Sequence, residues 1–284
     1  MKGKRKTIRK IKAYRIGVYI HNDLLFTKNH SSSRAISHEK GLYMQNKEPL
    51  VPEKKKPEQE DDKYPVKRGF IGYFFNFLGM LATRICIRFR SSGKENIPKD
   101  APYVIASNHQ TYVDGMWLAY FLPRKHFKVM CCLAGSDLET SHGWLGRVIM
   151  HVGRGIAVDR YGNPVRGLIK AKKEIEKGHI MLVHPEGTRT SDGKVAELKD
   201  GAAYMAVKAG VPVLPIYIEG GYQVFSRHTK FPKPWDSKNR RRKKVTVHYG
   251  EPLYPENYDK NAHTLTDALT SWMKKMEEAC SPAV

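Results

Sequence analysis

From about residue 100 onward, short apolar runs alternate with stretches whose apolar positions recur every three or four residues. APYVIAS (101–107), FKVMCCLA (127–134), GIAVDR (155–160), HIMLVHP (179–185), VPVLPIYIEG (211–220) and KKVTVHYG (243–250) read as short buried strands. Helical spacing is clearest over 164–177 (PVRGLIKAKKEIEK), 200–209 (DGAAYMAVKA) and 263–279, where Leu265, Leu269, Trp272 and Met276 form a stripe. Gly178 and Gly210 fall where helix C-caps belong. Strands alternating with helices predict an α/β domain over 91–284, with a mixed, largely parallel central sheet flanked by helices. No internal repeat is visible.

Upstream, residues 66–90 read VKRGFIGYFFNFLGMLATRICIRFR. The span Gly69 to Ala82 is apolar and aromatic, between Lys67 and Arg68 on one side and Arg84 and Arg88 on the other. That run is shorter than the roughly 20 residues a spanning helix needs. It fits a buried core helix or, given its basic flanks and aromatic rings, an N-terminal membrane-interface helix; the second is the reading adopted. Residues 1–65 form a different region, with the basic stretch MKGKRKTIRKIKAYR and the charged, Pro-containing NKEPLVPEKKKPEQEDDKYP. So little apolar surface predicts a largely disordered tail. Ile8, Ile11, Tyr14 and Arg15 stand at near-helical spacing, which suits either a weak basic amphipathic helix on lipid or a solvated arm. The start of the chain is basic and has no apolar core, unlike a secretory signal.

Charge changes the picture of partners. With 50 Lys and Arg against 28 Asp and Glu, the chain carries +22 formal charges, a surface that seeks a polyanion. Nucleic acid and an anionic lipid leaflet both qualify. The 225–245 segment, FSRHTKFPKPWDSKNRRRKKV, crowds cations around Pro232, Pro234 and Trp235 and reads as a solvated loop or a docking loop for either polyanion. The four cysteines, Cys86, Cys131, Cys132 and Cys280, have neither CxxC nor metal-ligand spacing and read as reduced thiols.

Two segments carry candidate chemistry. The first, SNHQTYVD (107–114), holds His109 and Asp114. On one straight helix, five positions would turn their side chains roughly 140° apart. They can pair if NHQT is a turn after a strand and the helix begins between Thr111 and Asp114. Asp114 would then hold one ring nitrogen of His109 and leave the other as a base. Ser107 lies close by but forms no nucleophile elbow. The hydroxyl to be deprotonated is therefore expected to come from a substrate. The alternative is a capping Asp beside a structural His. The second segment, LVHPEGTRT (182–190), ends a strand with Glu186, Gly187, Thr188 and Arg189. Gly187 permits a tight turn, Arg189 offers a fork for a phosphate, and Lys199 follows. Glu186 is placed to hold Arg189 or a substrate hydroxyl; a charged turn with an internal Glu–Arg bridge is the other reading.

Together these segments resemble the PlsC-like glycerolipid acyltransferase family, the 1-acylglycerol-3-phosphate acyltransferases. NHQTYVD matches the NHx4D block at Asn108, His109 and Asp114. GIAVDR resembles the second block at Gly155, Val158 and Arg160, and HPEGTRT the third at Pro185 to Arg189. VPVLPIYI resembles the fourth, apolar block at Val211, Pro212 and Pro215. The resemblance covers about residues 65–250. It implies His109 as general base, oriented by Asp114, with Arg160, Glu186 and Arg189 gripping the acceptor's phosphate or glycerol. Pro212 and Pro215 would shape a wall of the acyl or donor site. The implied acceptor is a lysophospholipid, foremost 1-acyl-sn-glycerol-3-phosphate. The donor would be acyl-CoA or an acyl carrier protein thioester, with no metal or bound cofactor. The implied partner surface is an anionic phospholipid membrane, with the enzyme peripheral or monotopic on its cytoplasmic face and no nucleic acid expected. Two positions depart from the pattern. His184 replaces a usual Phe, as a second titratable ring or an aromatic wall, and Gly135 stands where relatives often place a Lys. A thioesterase, with His109 activating water, and a nucleic-acid-binding protein are the competing readings.

Overall fold

The computed structural model describes residues 69–159 and 162–281. The tail over 1–65, Lys67, Arg68 and Arg160 lie outside the described residues. In chain order the described elements begin with helix α1 (Phe70–Cys86), strand β1 (Arg88–Ser92), β2 (Val104–Ser107), α2 (Asp114–Ala119), α3 (Arg124–Val129) and β3 (Met130–Gly135). Then come α4 (Asp137–Gly153), β4 (Gly155–Val158), α5 (Val165–Glu176), β5 (Ile180–Val183), α6 (Gly201–Ala209) and β6 (Val213–Glu219). The chain continues through α7 (Gly221–Phe225), β7 (Trp235–Asp236), β8 (Arg241–Arg242), β9 (Lys244–Tyr249) and α8 (Ala262–Cys280).

Seven strands form one sheet in the order β1-β9-β6-β2-β5-β3-β4. Every pairing is parallel except β6 with β9, so β1 and β9 run against the other five. The expected mixed, largely parallel sheet with flanking helices is what the chain forms. Alternation along the strands splits the core between the two faces. Val104 and Ala106 of β2 join Met181, Val213 and the inner sides of α5, α6 and α8. Tyr103 and Ile105 join Leu182, Leu214 and Trp117, Leu118, Phe127 and Met80. Gly210 closes α6 in the left-handed conformation (φ 64°), and Gly178 (φ 91°) follows α5, where their missing Cβ removes the strain.

Several boundaries differ from the sequence expectation. Phe127 to Val129 belong to α3, so β3 starts only at Met130. The 66–90 segment divides: α1 stops at Cys86, Ile87 is extended, and Arg88 opens β1. The 225–245 segment is not wholly loop, because Trp235–Asp236 pairs antiparallel with Arg241–Arg242. The second of α4's two parts begins after Gly143, whose φ of 53° and ψ of −127° break the helix.

One side of α1 is fastened down. Met80 and Gly72 are buried, Trp117 Nε1–H donates to Thr83 Oγ1 at 3.2 Å, and the Tyr73 ring meets Phe127 edge-on. Its other side presents Phe70, Phe74, Phe75, Phe77, Leu78 and Ile85 to the outside. Among the described residues, no helix is long and apolar enough to cross a membrane.

Candidate active site

The site grows from the C-terminal ends of β2 and β5, neighbours in the sheet, where crevices of open α/β sheets form. β2 ends at Ser107, and the chain turns through Asn108–Val113 before α2 begins at Asp114. The Asn108 side chain continues the sheet. Its Nδ2–H donates to the Ile218 carbonyl at 3.1 Å, and its Oδ1 accepts from Ile218 N–H at 2.7 Å. His109 is thereby held at the strand's mouth.

Asp114 is fully buried, and its carboxylate is saturated. Oδ2 accepts from His109 Nδ1 at 2.9 Å and from the backbone N–H groups of Gln110 and Thr111 at 2.7 and 2.9 Å. Oδ1 accepts the Thr111 hydroxyl at 2.7 Å. Burial works to raise this carboxyl, but the bond from His109, the histidine charges and the Thr111 N–H outweigh it and hold it below its ordinary range. An ionised acceptor on Nδ1 requires Nδ1–H, so the lone pair sits on Nε2. Among the described residues Nε2 has no hydrogen-bond partner. Ser107 is buried and turns its hydroxyl onto the Asn108 carbonyl at 3.0 Å, away from service as a nucleophile.

The segment after β5 grips the same turn. Glu186 Oε1 accepts from His109 N–H at 2.8 Å, Oε2 accepts from Ala196 N–H at 3.2 Å, and Thr190 N–H donates to the His109 carbonyl at 2.8 Å. Of the sequence readings of Glu186, the internal bridge to Arg189 gives way to this one: its oxygens fasten two loops by their backbones. Burial pushes Glu186 up to about 7, against the pull of those two N–H groups. His184 is stacked on His109, with ring centroids 3.9 Å apart and planes 5° from parallel. Its Nδ1–H is shared between the carbonyls of Ser107 and Asn108, at 3.0 and 3.2 Å. Burial, then the neighbouring His109, lowers His184 to about 3, which keeps the ring neutral, an aromatic wall against the first histidine. The ligand atoms of His109, Asp114 and His184 lie within 4.8 Å of one another, but both Nδ1 atoms are already engaged.

Arg189 stacks its guanidinium on the Tyr112 ring, 3.5 Å from the centroid, which places a cation on the turn that carries His109. Beside it opens a cavity of about 320 Å³ that shares Glu186, Thr188 and Arg189 with the site. Its wall also bears Lys194, Arg227 and Lys274, opposed by Asp192. Arg227 is anchored by donating to the Arg189 carbonyl at 3.0 Å, and Lys274 by donating to the Val195 carbonyl at 2.6 Å. Of these, Arg227 lies in the cation-rich 225–245 segment, whereas Lys194 and Lys274 had no signal in the sequence, because they reach the cavity only through the folding of distant segments. Gly187 turns with φ 74°, and a Cβ there would stand 3.1 Å from Lys199 Nζ. Lys199 is therefore beside the turn but not on the cavity wall. Pro212 precedes β6 and Pro215 is buried within it, paired in register with Ala106; neither lines the cavity. Gly155 and Val158 lie in β4, and Gly135 pairs with Val158.

Residues 88–219 match the family described as Acyltransferase. The human 1-acyl-sn-glycerol-3-phosphate acyltransferase beta is 28% identical over 150 residues, which is 51% of this chain and 51% of that protein. The 1-acyl-sn-glycerol-3-phosphate acyltransferase of Pseudomonas aeruginosa is 33% identical over 141 residues, 48% of this chain and 51% of that one. The match thus spans about half the length of these curated relatives. The crystal structure of the 1-acyl-sn-glycerophosphate (LPA) acyltransferase, PlsC, from Thermotoga maritima superposes with a TM-score of 0.60 at 27% identity, covering 75% of this chain and 81% of that chain.

Proposed function

We propose that the chain, whose residues 88–219 match the acyltransferase family and whose fold is similar to that of the PlsC structure, moves a fatty acyl group from a thioester to the free hydroxyl of a lysophospholipid. The observation that carries this reading is the His109–Asp114 pair, with a free Nε2 and a serine neighbour turned away. Nε2 takes the proton from the acceptor hydroxyl as its oxygen attacks the thioester carbonyl. The tetrahedral intermediate collapses, the C–S bond breaks, and the thiolate recovers the proton from His109. No acyl-enzyme is formed. Asp114 holds the tautomer and faces the imidazolium as it develops. The acceptor is foremost 1-acyl-sn-glycerol-3-phosphate, the substrate in the relatives' names, and the product is then phosphatidic acid for phospholipid synthesis. Its phosphate fits the cationic wall of Arg189, Lys194, Arg227 and Lys274 better than a neutral head group would. The donor is acyl-CoA or an acyl carrier protein thioester.

The exposed aromatic face of α1, with Phe70 83% and Phe77 66% exposed, and the +22 charge of the chain support a peripheral or monotopic seat on an anionic, cytoplasmic leaflet. The test is a panel of lysolipids with acyl-CoA or acyl-ACP, products identified by mass spectrometry, for the native chain and His109→Ala. Esterified lipid from the native chain, lost by at least about a hundredfold in the variant, is expected. Free fatty acid in place of ester would make the chain a thioesterase, and transfer retained in His109→Ala would remove the base assignment.

A further inference from the structure

The antiparallel pair β6–β9 sets side chains of one sheet face side by side: Glu219 lies opposite Thr246, and His248 lies opposite Tyr217, two positions along. On the same face, β1 brings Ser92 opposite His248. Helix α8 crosses this face and ends at Cys280, so one thiol arrives over the Glu–His diagonal. The outcome is three metal-ligand chemistries from three distant segments, their ligand atoms all within 4.8 Å of one another. Glu219 Oε2 is 3.2 Å from His248 Nε2, and Cys280 Sγ is 3.8 Å from the same nitrogen.

We propose that Glu219, His248 and Cys280 form a zinc-type site, made of residues other than those of the His109 turn, that clamps the end of α8 to β6 and β9. A tetrahedral zinc ion with ordinary bond lengths separates its O and N ligands by about 3.3 Å and its N and S ligands by about 3.6 Å. Two edges of that tetrahedron are thus already near these lengths, and the third, between Glu219 and Cys280, is within 4.8 Å. The fourth position is left to water. A thiolate with an imidazole selects zinc or cobalt over magnesium or calcium. The outer partners fit as well. Ser92 Oγ lies 2.7 Å from His248 Nδ1; when a metal displaces the proton that Nε2 shares with Glu219, this hydroxyl is placed to accept from Nδ1–H and leave the Nε2 lone pair for the metal. Lys244 Nζ takes the other carboxylate oxygen, Glu219 Oε1, at 3.3 Å.

The experiment is titration of the full, metal-free chain with Co²⁺, read by absorbance, followed by displacement with Zn²⁺. One cobalt per chain is expected, with tetrahedral d–d bands and a near-ultraviolet sulfur-to-metal charge-transfer band that Zn²⁺ removes. Cys280→Ser should lose the charge-transfer band, and Ser92→Ala should weaken binding about tenfold to a hundredfold. Circular dichroism of each variant establishes that it folds. A native chain that shows no charge-transfer band at a tenfold excess of cobalt overturns the proposal. So does a band that survives Cys280→Ser, because Cys86, Cys131 or Cys132 would then supply the sulfur. Cobalt bands without sulfur character, lost only in His109→Ala, would place the metal in the catalytic turn and overturn it likewise.

Discussion

At the scale of single residues the site is a set of opposed charges with assigned partners. Replacing Asp114 by Asn keeps the volume but loses the ionised acceptor that fixes Nδ1–H. The expected result is a fall in kcat of roughly 10²- to 10⁴-fold with little change in KM, measured in the acyl-transfer assay. Two other groups give the stability of the chain opposite pH slopes. His184 is lowered to about 3, so below its ordinary 6.5 the unfolded chain takes a proton that the folded chain refuses. Stability is lost as pH falls through that window. Glu186 is raised to about 7, so above 4.5 the unfolded chain releases a proton that the folded chain keeps, and stability falls as pH rises towards 7. Urea unfolding between pH 4 and 8 separates the two. His184→Phe should flatten the acid side, and Glu186→Gln should remove a loss on the alkaline side of up to roughly 3 kcal/mol. The pairing of His109 with Asp114 was legible in the sequence because it is local, five positions across one turn. The partners of Glu186 were not, because they are backbone groups of His109, 77 residues away, and of Ala196.

At the scale of elements, legibility followed hydrophobic pattern. The strands β2, β5, β6 and β9 and the helices α5, α6 and α8 stand where apolar period predicts them. The strand β1 escaped because RFRSS has one apolar residue; it becomes a strand only because β9 offers a parallel partner from Arg88–Lys244 to Ser92–His248. The helix α4 escaped because DLETSHGWLGRVIMHVG is broken at Gly143 and its apolar residues gather on the later turns. The helix α1 was legible as an element, and its surface is the part open to test. Phe74 and Phe77 are 50% and 66% exposed, so removing them costs the fold little. The double change Phe74→Ser and Phe77→Ser should leave the melting temperature within a few degrees and weaken liposome flotation by roughly tenfold or more.

For the molecule as a whole, net charge is the property that composition made plainest and that the fold alone does not interpret. An attraction of +22 charges to an anionic leaflet must be screened: raising salt from 0.1 to 1 M shortens the screening length from about 10 to 3 Å. Flotation with vesicles rich in phosphatidylglycerol should therefore fall steeply with salt, while the weaker binding to phosphatidylcholine vesicles, held by α1 alone, should hardly change. Tight gel shifts with nucleic acid at the same salt, without flotation, would assign the charge to the other polyanion. The exposed aromatic side of α1 has a kinetic corollary. An enzyme seated by that face meets its acceptor within a two-dimensional phase, so its velocity follows the mole fraction of lysolipid in the leaflet rather than the amount in the tube. Diluting the acceptor with inert lipid at constant total quantity would slow turnover, whereas adding more vesicles of the same composition would not hasten it.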